Sequence, residues 1–470
     1  MRRKINRQAE LDFKPSNLKV TNEYYQQYQA VSMLLDTNPE ILTLVHKDIK
    51  QSLESLNSEI PDGHCKYTSD TVLRILICMI IEGLSLRRIV VRIDDSHILR
   101  RFVRIFDGEM MDYSNLCRLK NQISPQTWYK MNQALARHAV HQDLIEGEQL
   151  RLDTTAVETN IHYPTDSGLL WDTYRVLSRL IEQARDIDPE VVGTGRLQTR
   201  KAKKLRNKIA RLASKRKPAS MEKLRPLYEK LIQLVIGIHE WGGQVCQNLE
   251  AVCRKGHYSE FQQSIVECII EEIAHYGQLG IQVIDQAARR VLDDETVPND
   301  EKLFSIFEPH TELLKRGKAG KSIEYGHMIQ IQQVESKFIT DYAVFENKPV
   351  EYELLNPALE RHKKLFGEYP EVVAADKGYY QDMATIKALS KKIDVVSIAK
   401  KGKRTDEEVE RESDPDFTFG QRFRAGVEGT ISYLKRIFGL FRCCNKGWEH
   451  YRSTVGAAIF THNILILTRI

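Results

Sequence analysis

The chain has 470 residues, of which 42% are hydrophobic and 28% are charged, and its formal net charge at pH 7 is +5. These values are typical of a water-soluble globular protein, and the length is sufficient for two or three domains with their own cores. A net charge this small is not enough by itself to attract nucleic acid. Any such attraction has to come from local clusters of basic residues.

The cysteine pattern and the apolar stretches bear on the compartment of the protein. The eight cysteines contain no C-x-x-C pair, which argues against a zinc site or a disulfide framework and favours a reducing cytoplasm. No apolar run of signal-peptide length follows the basic N-terminus. The apolar stretch from Gly456 is interrupted by His462, Asn463 and Arg469, which predicts a buried helix and not a membrane span.

Residues 1–60 are polar with weak helical periodicity, whereas residues 61–145 show a strongly helical pattern. Cap-type residues precede four amphipathic runs there, at Asp70, Ser85, Ser96 and Asp112 or Ser114. Basic residues occupy the polar sides of these runs: Arg87, Arg88, Arg92, Arg100, Arg101, Arg104, Arg118 and Lys120. This pattern is typical of a helix-turn-helix-like DNA-binding domain, but a small helical bundle with solvated arginines would show it too.

Residues 148–158 alternate with period two and include β-branched residues, which predicts a strand that carries Asp153. A carboxylate in a buried strand is costly unless something offsets its desolvation. A bound metal would do so, and so would hydrogen bonds from backbone or hydroxyl groups. Asp166, in the loop that follows, is predicted to have a structural role beside a helix N-cap.

Residues 168–300 are predicted to form a helical insertion after this strand. Its segment 196–217 holds eleven basic residues and no acid. Apolar residues are sparse in it, so we expect either a solvated, partly disordered arm or a surface that binds a polyanion.

The strand pattern returns from residue 322, where two runs separated by residues 335–337 predict a hairpin. A short apolar run at 371–375 is typical of a buried strand, and Asp376 lies where it ends. In open α/β sheets, functional sites gather at the carboxyl ends of strands. The other elements predicted are helices at 355–366 and 382–391, a strand at 394–399, a charged, mobile loop at 400–416 and a helix at 420–436.

The last of these helices carries Arg424, Glu428 and Lys435 within about 60° of each other, on one stripe. An arginine, a carboxylate and a lysine on one face suit a site that binds a divalent metal and a phosphate together. The alternative is a surface helix with an i,i+4 ion pair, although Arg before Glu is the less favourable order. Gly426 and Gly429 each cost about 1 kcal/mol inside a helix, which favours a helix that another backbone approaches closely.

Asp153, Asp376 and Glu428 thus stand at the ends of buried elements. Three carboxylates that converge on one point would repel each other unless cations lie between them. Two Mg²⁺ ions, with Mn²⁺ as a substitute, would relieve this repulsion and form a clamp for in-line attack on a phosphodiester. Arg424 and Lys435 would hold the phosphates.

Three blocks of the sequence resemble the DDE transposases of bacterial insertion sequences, a family with an RNase H-like catalytic core. The residues around Asp153 resemble the first-aspartate block of that family, and residues 373–379 resemble the second. The arginine, glutamate and lysine of the stripe fit the family's tyrosine–arginine–glutamate–lysine signature. Gln421 stands where the family has the tyrosine.

The resemblance implies a mixed α/β fold. Its parts would be a polar segment (1–60), a helical DNA-binding domain (61–145), an RNase H-like core (146–167 and 320–470) and the helical insertion (168–300). It further implies a transposase that binds the terminal inverted repeats of an insertion sequence, cleaves DNA strands with two Mg²⁺ ions and joins them to target DNA. Such an enzyme is expected to act as a homodimer on DNA, in the nucleoid of a bacterial cytoplasm and without a membrane partner.

By the same resemblance, the catalytic and metal-binding residues are Asp153, Asp376 and Glu428. The implied phosphate or DNA contacts are Arg424, Lys435, Lys377, Arg196, Arg200, Lys201, Lys203, Lys204, Arg206, Arg118 and Lys120. Two other classes stay open: a catalytically inactive, transposase-derived DNA-binding protein, and an RNase H-like nuclease without strand transfer. The presence of all three acids and both basic partners argues against the inactive protein.

Overall fold

A computed structural model of the protein describes residues 18–55, 67–106, 108–215, 222–315 and 322–469. The chain divides into two units, the first formed by Met1–Asn160 with Gly326–Ile470 and the second by Ile161–Tyr325. In the described ranges, no helix is both long enough and apolar enough to cross a lipid bilayer.

The described part of the first unit begins with helices. These are α1 (Lys19–Thr37), α2 (Pro39–Ser55), α3 (Ser69–Ile81), α4 (Leu86–Asp94), α5 (His97–Phe102), α6 (Tyr113–Asn121) and α7 (Pro125–His141). Ser96 caps α5 and Asp112 caps α6, because each side chain accepts an N–H of the first turn that has no partner inside the helix. Ser85 precedes α4 without a capping hydrogen bond. The prediction for α3 is wrong, since Thr68 and not Asp70 caps it.

Asp70 is buried and belongs to a network of ion pairs, which explains why it does not cap α3. It accepts hydrogen bonds from Arg74 Nε and Arg104 Nη1, each at 2.7 Å. Both arginines also bind Asp36 of α1, and the side chain of Arg74 is fully buried. Arg104, one of the basic residues on the polar sides of the helical runs, thus binds two carboxylates, and 17% of its side chain is exposed.

The chain next forms β1 (Gln149–Thr159) and then enters the second unit. That unit contains α8 (Asp166–Ile187), α9 (Pro189–Val192), α10 (Thr199–Ala213), α11 (Arg225–Arg254), α12 (Glu260–Val291) and β2 (Glu312–Lys315). Helices α8, α11 and α12 pack against each other around a core that includes Leu177, Leu231 and Val283. Gly280 lets α12 approach α8 closely, since a Cβ at this position would lie 2.6 Å from Thr173 Cγ2.

Two sequence predictions concern the second unit. Asp166 is structural, as predicted: it is buried and accepts hydrogen bonds from Arg290 Nη1, at 2.7 and 3.0 Å, and from Gln286 Nε2, at 2.9 Å. Within the basic segment, residues 199–213 form the helix α10. Two basic residues of the segment 196–217, Arg216 and Lys217, lie outside the described residues.

The chain returns on β3 (Ile323–Val334) and β4 (Ile339–Val344), which form the predicted hairpin. The remaining elements are α13 (Leu355–Phe366), β5 (Val372–Ala375), α14 (Met383–Leu389), β6 (Val395–Ile398), α15 (Asp406–Ser413), α16 (Pro415–Arg436), β7 (Arg442–Cys443) and α17 (Trp448–Leu467). Short 3-10 turns lie before α13, at Glu351–Leu354, and after β5, at Lys377–Tyr379. The prediction of a mobile loop at 400–416 is wrong. These residues contain α15, whose start is stabilised by a capping box of Thr405 and Glu408.

The strands form one mixed sheet of order β2-β3-β1-β5-β6, with β4 also paired to β3 and β7 to β1. Strand β1 is antiparallel to β3 and parallel to β5, and β5 is parallel to β6. Helix α16 packs across β6, β5 and β1. One hydrophobic core joins α1–α7 to α17 and to residues of β1, β3 and β4. The N-terminal helices therefore share their core with the sheet.

His362 of α13 is buried, and its Nε2–H donates to the Gly147 carbonyl at 2.9 Å. Burial lowers the pKa of His362 to about 4, whereas a histidine in an unfolded chain has a pKa of about 6.5. Between these two values the unfolded state binds a proton that the folded state does not, so stability falls as the pH falls.

We predict that the stabilising contribution of neutral His362 is fully present above pH 6.5 and is lost as the pH falls towards 4, with a maximum of about 3 kcal/mol. His362→Gln should show a shallower fall of the unfolding midpoint between pH 7 and pH 5 than the wild type, measured by thermal melts. His141→Gln, a change at an exposed histidine, should keep the wild-type slope. Equal slopes in all three proteins would contradict the assignment.

Candidate active site

Asp153 and Asp376 lie at neighbouring positions on two parallel strands. The register of β1 and β5 pairs Leu152 with Ala375, so the next residue on each strand is one of the two aspartates. Neighbouring strands are about 4.8 Å apart, which places the aspartates side by side. Strand β5 ends at this point, whereas β1 continues to Thr159. The sequence places each aspartate at a strand, and the register shows that the two are neighbours on adjacent strands.

Each aspartate is oriented by the N–H of the residue that follows it. Asp153 Oδ1 accepts from Thr154 N at 2.7 Å, and Asp376 Oδ1 accepts from Lys377 N at 2.7 Å. Asp376 is exposed and Asp153 is half-buried. The two side chains therefore present carboxyl oxygens at the end of β5.

Tyr379 reports on the charges around this strand end. Burial raises the pKa of its hydroxyl well above the usual range, and the negative charges of Asp153, Glu351 and Asp376 raise it further. The hydroxyl accepts a hydrogen bond from Gln330 Nε2 at 3.1 Å, which acts in the opposite direction. Tyr379 therefore lies close enough to each of the three carboxylates for their charges to act on its hydroxyl.

Glu351 is the residue of this group that sequence reasoning missed. The hydroxyl of Thr154, the neighbour of Asp153, donates to Glu351 Oε1. Glu351 Oε2 fills the space beside Gly378, where an added Cβ would lie 1.7 Å from it. Glu351 thus contacts the residue after one aspartate and the glycine two positions after the other. Its place before α13 offered no sequence signal, because neither periodicity nor a motif distinguishes it from Glu353.

Helix α16 is attached to the sheet at several points. Ser397 Oγ of β6 donates to the Phe417 carbonyl, and Gln421 Nε2 donates to the Ser397 carbonyl, each at 2.7 Å. Further along the helix, Thr430 and Gln333 of β3 share a hydrogen bond at 3.0 Å. Gln421, which stands where the resembling family has a tyrosine, therefore binds the backbone of a core strand.

Arg151 of β1 is buried beneath α16, with 4% of its surface exposed. Its Nε donates to Gln333 Oε1 and its Nη1 to the Phe423 carbonyl, each at 2.8 Å, and its guanidinium lies 4.6 Å from the centre of the Phe423 ring. Burial lowers the pKa of Arg151 to about 10. A Cβ at Gly426 would lie 2.2 Å from Arg151 Nη1, whereas one at Gly429 would meet nothing within 4 Å. The close approach that we expected from another backbone is thus made by an arginine side chain, and at Gly426 alone.

The stripe of α16 is only partly assembled with the aspartates. Side chains two residues apart point to the same face of a strand, so Asp153 shares the face on which Arg151 contacts α16. Glu428 is 65% exposed and accepts from Arg424 Nη2 at 3.4 Å, which is the i,i+4 pair of the alternative interpretation. Within the described residues, no three His, Cys, Asp or Glu side chains form a group that could hold a metal ion. The structure brings two of the three predicted carboxylates together and pairs the third with Arg424.

The other predicted phosphate contacts of the first unit differ in exposure. Lys377 and Arg118 are exposed, and Lys435 is half-buried. Lys120 points inward: its Nζ donates to Asn445 Oδ1 at 3.0 Å, and burial lowers its pKa. This position favours a structural role for Lys120.

The predicted phosphate contacts of the second unit lie on α10 or just before it. Arg206 is half-buried and donates from Nη1 to Asn207 Oδ1 at 3.1 Å. The exposed members of the set are Arg196, Arg200, Lys201, Lys203 and Lys204.

Comparison with known protein families identifies the part of the chain that carries this strand end. Residues 291–464 match the family model of the transposase DDE domain. The chain contains a transposase DDE domain. The match includes Asp376 and all of α16, and it begins after Asp153. No curated protein and no solved structure matches the chain.

We predict opposite effects of the same substitution at two glycines of α16 in the transposase DDE domain. Gly426→Ala forces a methyl group against the buried Arg151 and should lower the free energy of unfolding by about 1–3 kcal/mol. Gly429→Ala meets no neighbour and should raise it by up to about 1 kcal/mol, because alanine favours the helix. Calorimetric unfolding of the two variants and the wild type tests this difference, and a destabilising Gly429→Ala would refute it.

We also predict that Glu351→Ala lowers the free energy of unfolding by about 1–2 kcal/mol, because Thr154 loses its acceptor and the space beside Gly378 empties. The matched control is Glu353→Ala, on the same 3-10 turn but exposed; it should stay within about 0.5 kcal/mol of the wild type. Urea unfolding followed by circular dichroism measures both. Indistinguishable variants would mean that Glu351 does not stabilise the strand ends.

Proposed function

We propose that the protein is a DNA transposase that binds the terminal repeats of a mobile element, cleaves DNA at its ends and transfers the resulting 3′ ends to target DNA. The observation that carries the proposal is the register that places Asp153 beside Asp376. In the same chain, residues 291–464 match the transposase DDE domain. Three antiparallel strands, β4, β3 and β1, followed by the parallel β5 and β6, support an RNase H-like core for the first unit.

The donor set fits a divalent metal. Carboxylate oxygens are the ligands that Mg²⁺ and Mn²⁺ prefer, and two adjacent carboxylates repel each other unless a cation lies between them. We propose that Asp153 and Asp376 hold the metal and that Glu428 is the third acid. When bound, Mg²⁺ would supply activation of the attacking oxygen and stabilisation of the leaving oxygen.

Two reactions follow in this proposal. In the first, water attacks a phosphodiester at the element end, a new P–O bond forms, the bond to the 3′ oxygen breaks, and that oxygen takes up a proton. In the second, this 3′-hydroxyl attacks a phosphodiester of the target DNA, loses its proton and displaces the target's own 3′ oxygen. Both are phosphoryl transfers in which positioning and charge stabilisation do most of the catalysis.

The basic residues of the chain position the DNA in these reactions. Arg424, one helical turn from Glu428, is proposed to grip a phosphate through its forked guanidinium, and Lys435 and Lys377 to attract phosphates as point charges. Helix α16 is suited to present Arg424 and Glu428, since Arg151 and Gln421 fix it to the sheet. Joining two ends requires at least two copies of the chain on DNA.

We predict that Asp153→Asn, Asp376→Asn and Glu428→Gln each reduce strand cleavage more than about 100-fold, beyond the effect of losing an outer-shell partner of a metal site, while DNA affinity stays nearly unchanged. The assay is nicking of labelled DNA that carries the element's own ends, with Mg²⁺ or with EDTA. The matched control is Asp394→Asn, at an exposed aspartate just before β6, and it should cleave like the wild type.

Each other result of this assay has a defined meaning. Full cleavage by Asp376→Asn would refute the metal site, and so would a loss of DNA binding in all three variants. Wild-type binding without nicking would identify an inactive transposase-derived DNA-binding protein. Nicking without joining to target DNA would identify a nuclease.

A further inference from the structure

The second unit contains a cationic groove between α10 and α11, with a volume of about 470 Å³. Its lining combines five basic side chains with two leucines: Arg200, Lys201, Lys204 and Lys208 with Leu205 from α10, and Lys230 with Leu227 from α11. No carboxylate belongs to this described lining. Lys208 and Lys230 were not among the predicted phosphate contacts.

The packing of α10 decides which of its residues reach the groove. Ala202 and Ile209 are buried in the core of the second unit, so the opposite side of the helix stays in solvent. Arg200, Lys204 and Lys208 follow each other at i, i+4 and i+8 and form a row with a spacing of about 6 Å. Like charges at this spacing destabilise a helix. The row therefore destabilises α10, and an anion bound to it would reduce the repulsion.

The five cations of the groove have no carboxylate partner in the part of the chain that the structure describes. Among the described residues, none of them forms an ion pair, and Lys201 Nζ donates only to the neutral Gln198 Oε1, at 3.1 Å. Arg206, on another side of α10, behaves differently, since its charge lowers the pKa of Asp172 against the dominant effect of burial, which raises it. The charges that have an internal use are thus separated from those that line the groove.

We propose that this groove binds the sugar–phosphate backbone of duplex DNA without reading its sequence. A row of cations along a helix suits a row of phosphates, and lysines are point charges that carry no base-specific geometry. Leu205 and Leu227 give the groove an apolar floor for the sugar faces. The inference rests on the proposed function in one respect, because DNA is chosen as the polyanion on account of the transposase DDE domain in the same chain.

The test compares two triple variants of the full chain that lose the same charge. Lys204→Gln/Lys208→Gln/Lys230→Gln removes three of the five basic side chains of the groove, whereas Lys391→Gln/Lys223→Gln/Lys255→Gln removes three exposed lysines outside it. None of the three control lysines is among the predicted phosphate contacts. Both triples change solvent-exposed side chains only, and circular dichroism checks that they fold.

The measurement is the affinity for a duplex of unrelated sequence between 50 and 200 mM salt, made with Asp376→Asn in each protein so that no cleavage occurs. Each phosphate contact adds about 0.9 to the slope of log affinity against log salt. The groove variant should therefore lose about 2–3 units of slope. The factor by which its affinity falls between 50 and 200 mM salt should be about 40 times smaller than the factor for the wild type. The control triple should lose less than about 1 unit.

Equal slopes for the two triple variants would refute the proposal that the groove binds duplex DNA. A wild type that does not bind duplex DNA would refute it as well. An effect on RNA of the same length but not on duplex DNA would overturn it too. Failure of the proposed function is distinguishable: the groove variant would still lose slope, while the protein with Asp376 restored would show no metal-dependent cleavage.

Discussion

A buried guanidinium organises the candidate active site. Arg151 is bound by a side-chain amide of β3 and a main-chain carbonyl of α16, and it forms no ion pair with a carboxylate of the described residues. Such a cation is costly to bury, and the hydrogen bonds from Nε and Nη1 offset the cost only while each partner stays in place. Because Arg151 is two residues from Asp153 and touches the helix of Glu428, one group links the strand of one acid to the helix of another. Only a residue without a Cβ leaves room for Arg151 at position 426, which is why a glycine suits this position.

The two units differ in the sign of their concentrated charge. At the end of β5 the first unit gathers Asp153, Asp376 and Glu351, and a buried phenol is influenced by all three. The second unit places a row of cations on α10. Carboxylates repel a DNA backbone, so under the proposed function the attraction to DNA has to come from elsewhere on the surface. A net charge of +5 conceals this division.

Local patterns predicted the elements of the core well, because periodicity and caps are properties of a few consecutive residues. The strand at Asp153, the hairpin around residues 335–337 and the helix at 355–366 follow from them. Helix α15 was missed although its capping box, Thr405 with Glu408, is visible in the sequence. Its high charge made a loop the simpler interpretation.

Other features depend on contacts between distant residues, and no local pattern contains them. Asp70 and Thr68 are both cap-type residues, and the choice between them is made by the arginines that bind Asp70. The side-by-side position of Asp153 and Asp376 requires the register of β1 with β5, since the two strands are far apart in the sequence. The same register corrects the expectation that Asp153 ends its strand, because β1 continues to Thr159. Glu351 had no signal at all, because its role comes from Thr154 and Gly378.

The pairing of Glu158 with Gly326 has a consequence for how this architecture can change. These positions adjoin the two ends of the second unit, Ile161–Tyr325, so that whole unit occupies the place of a turn in the hairpin formed by β1 and β3. A glycine suits the closing position, where a Cβ would lie 2.0 Å from the Val157 carbonyl oxygen. Closing a loop becomes only slowly more costly as it lengthens, and the second unit has a hydrophobic core of its own. Evolution can therefore enlarge, shorten or exchange the second unit while the register that aligns the aspartates is inherited intact.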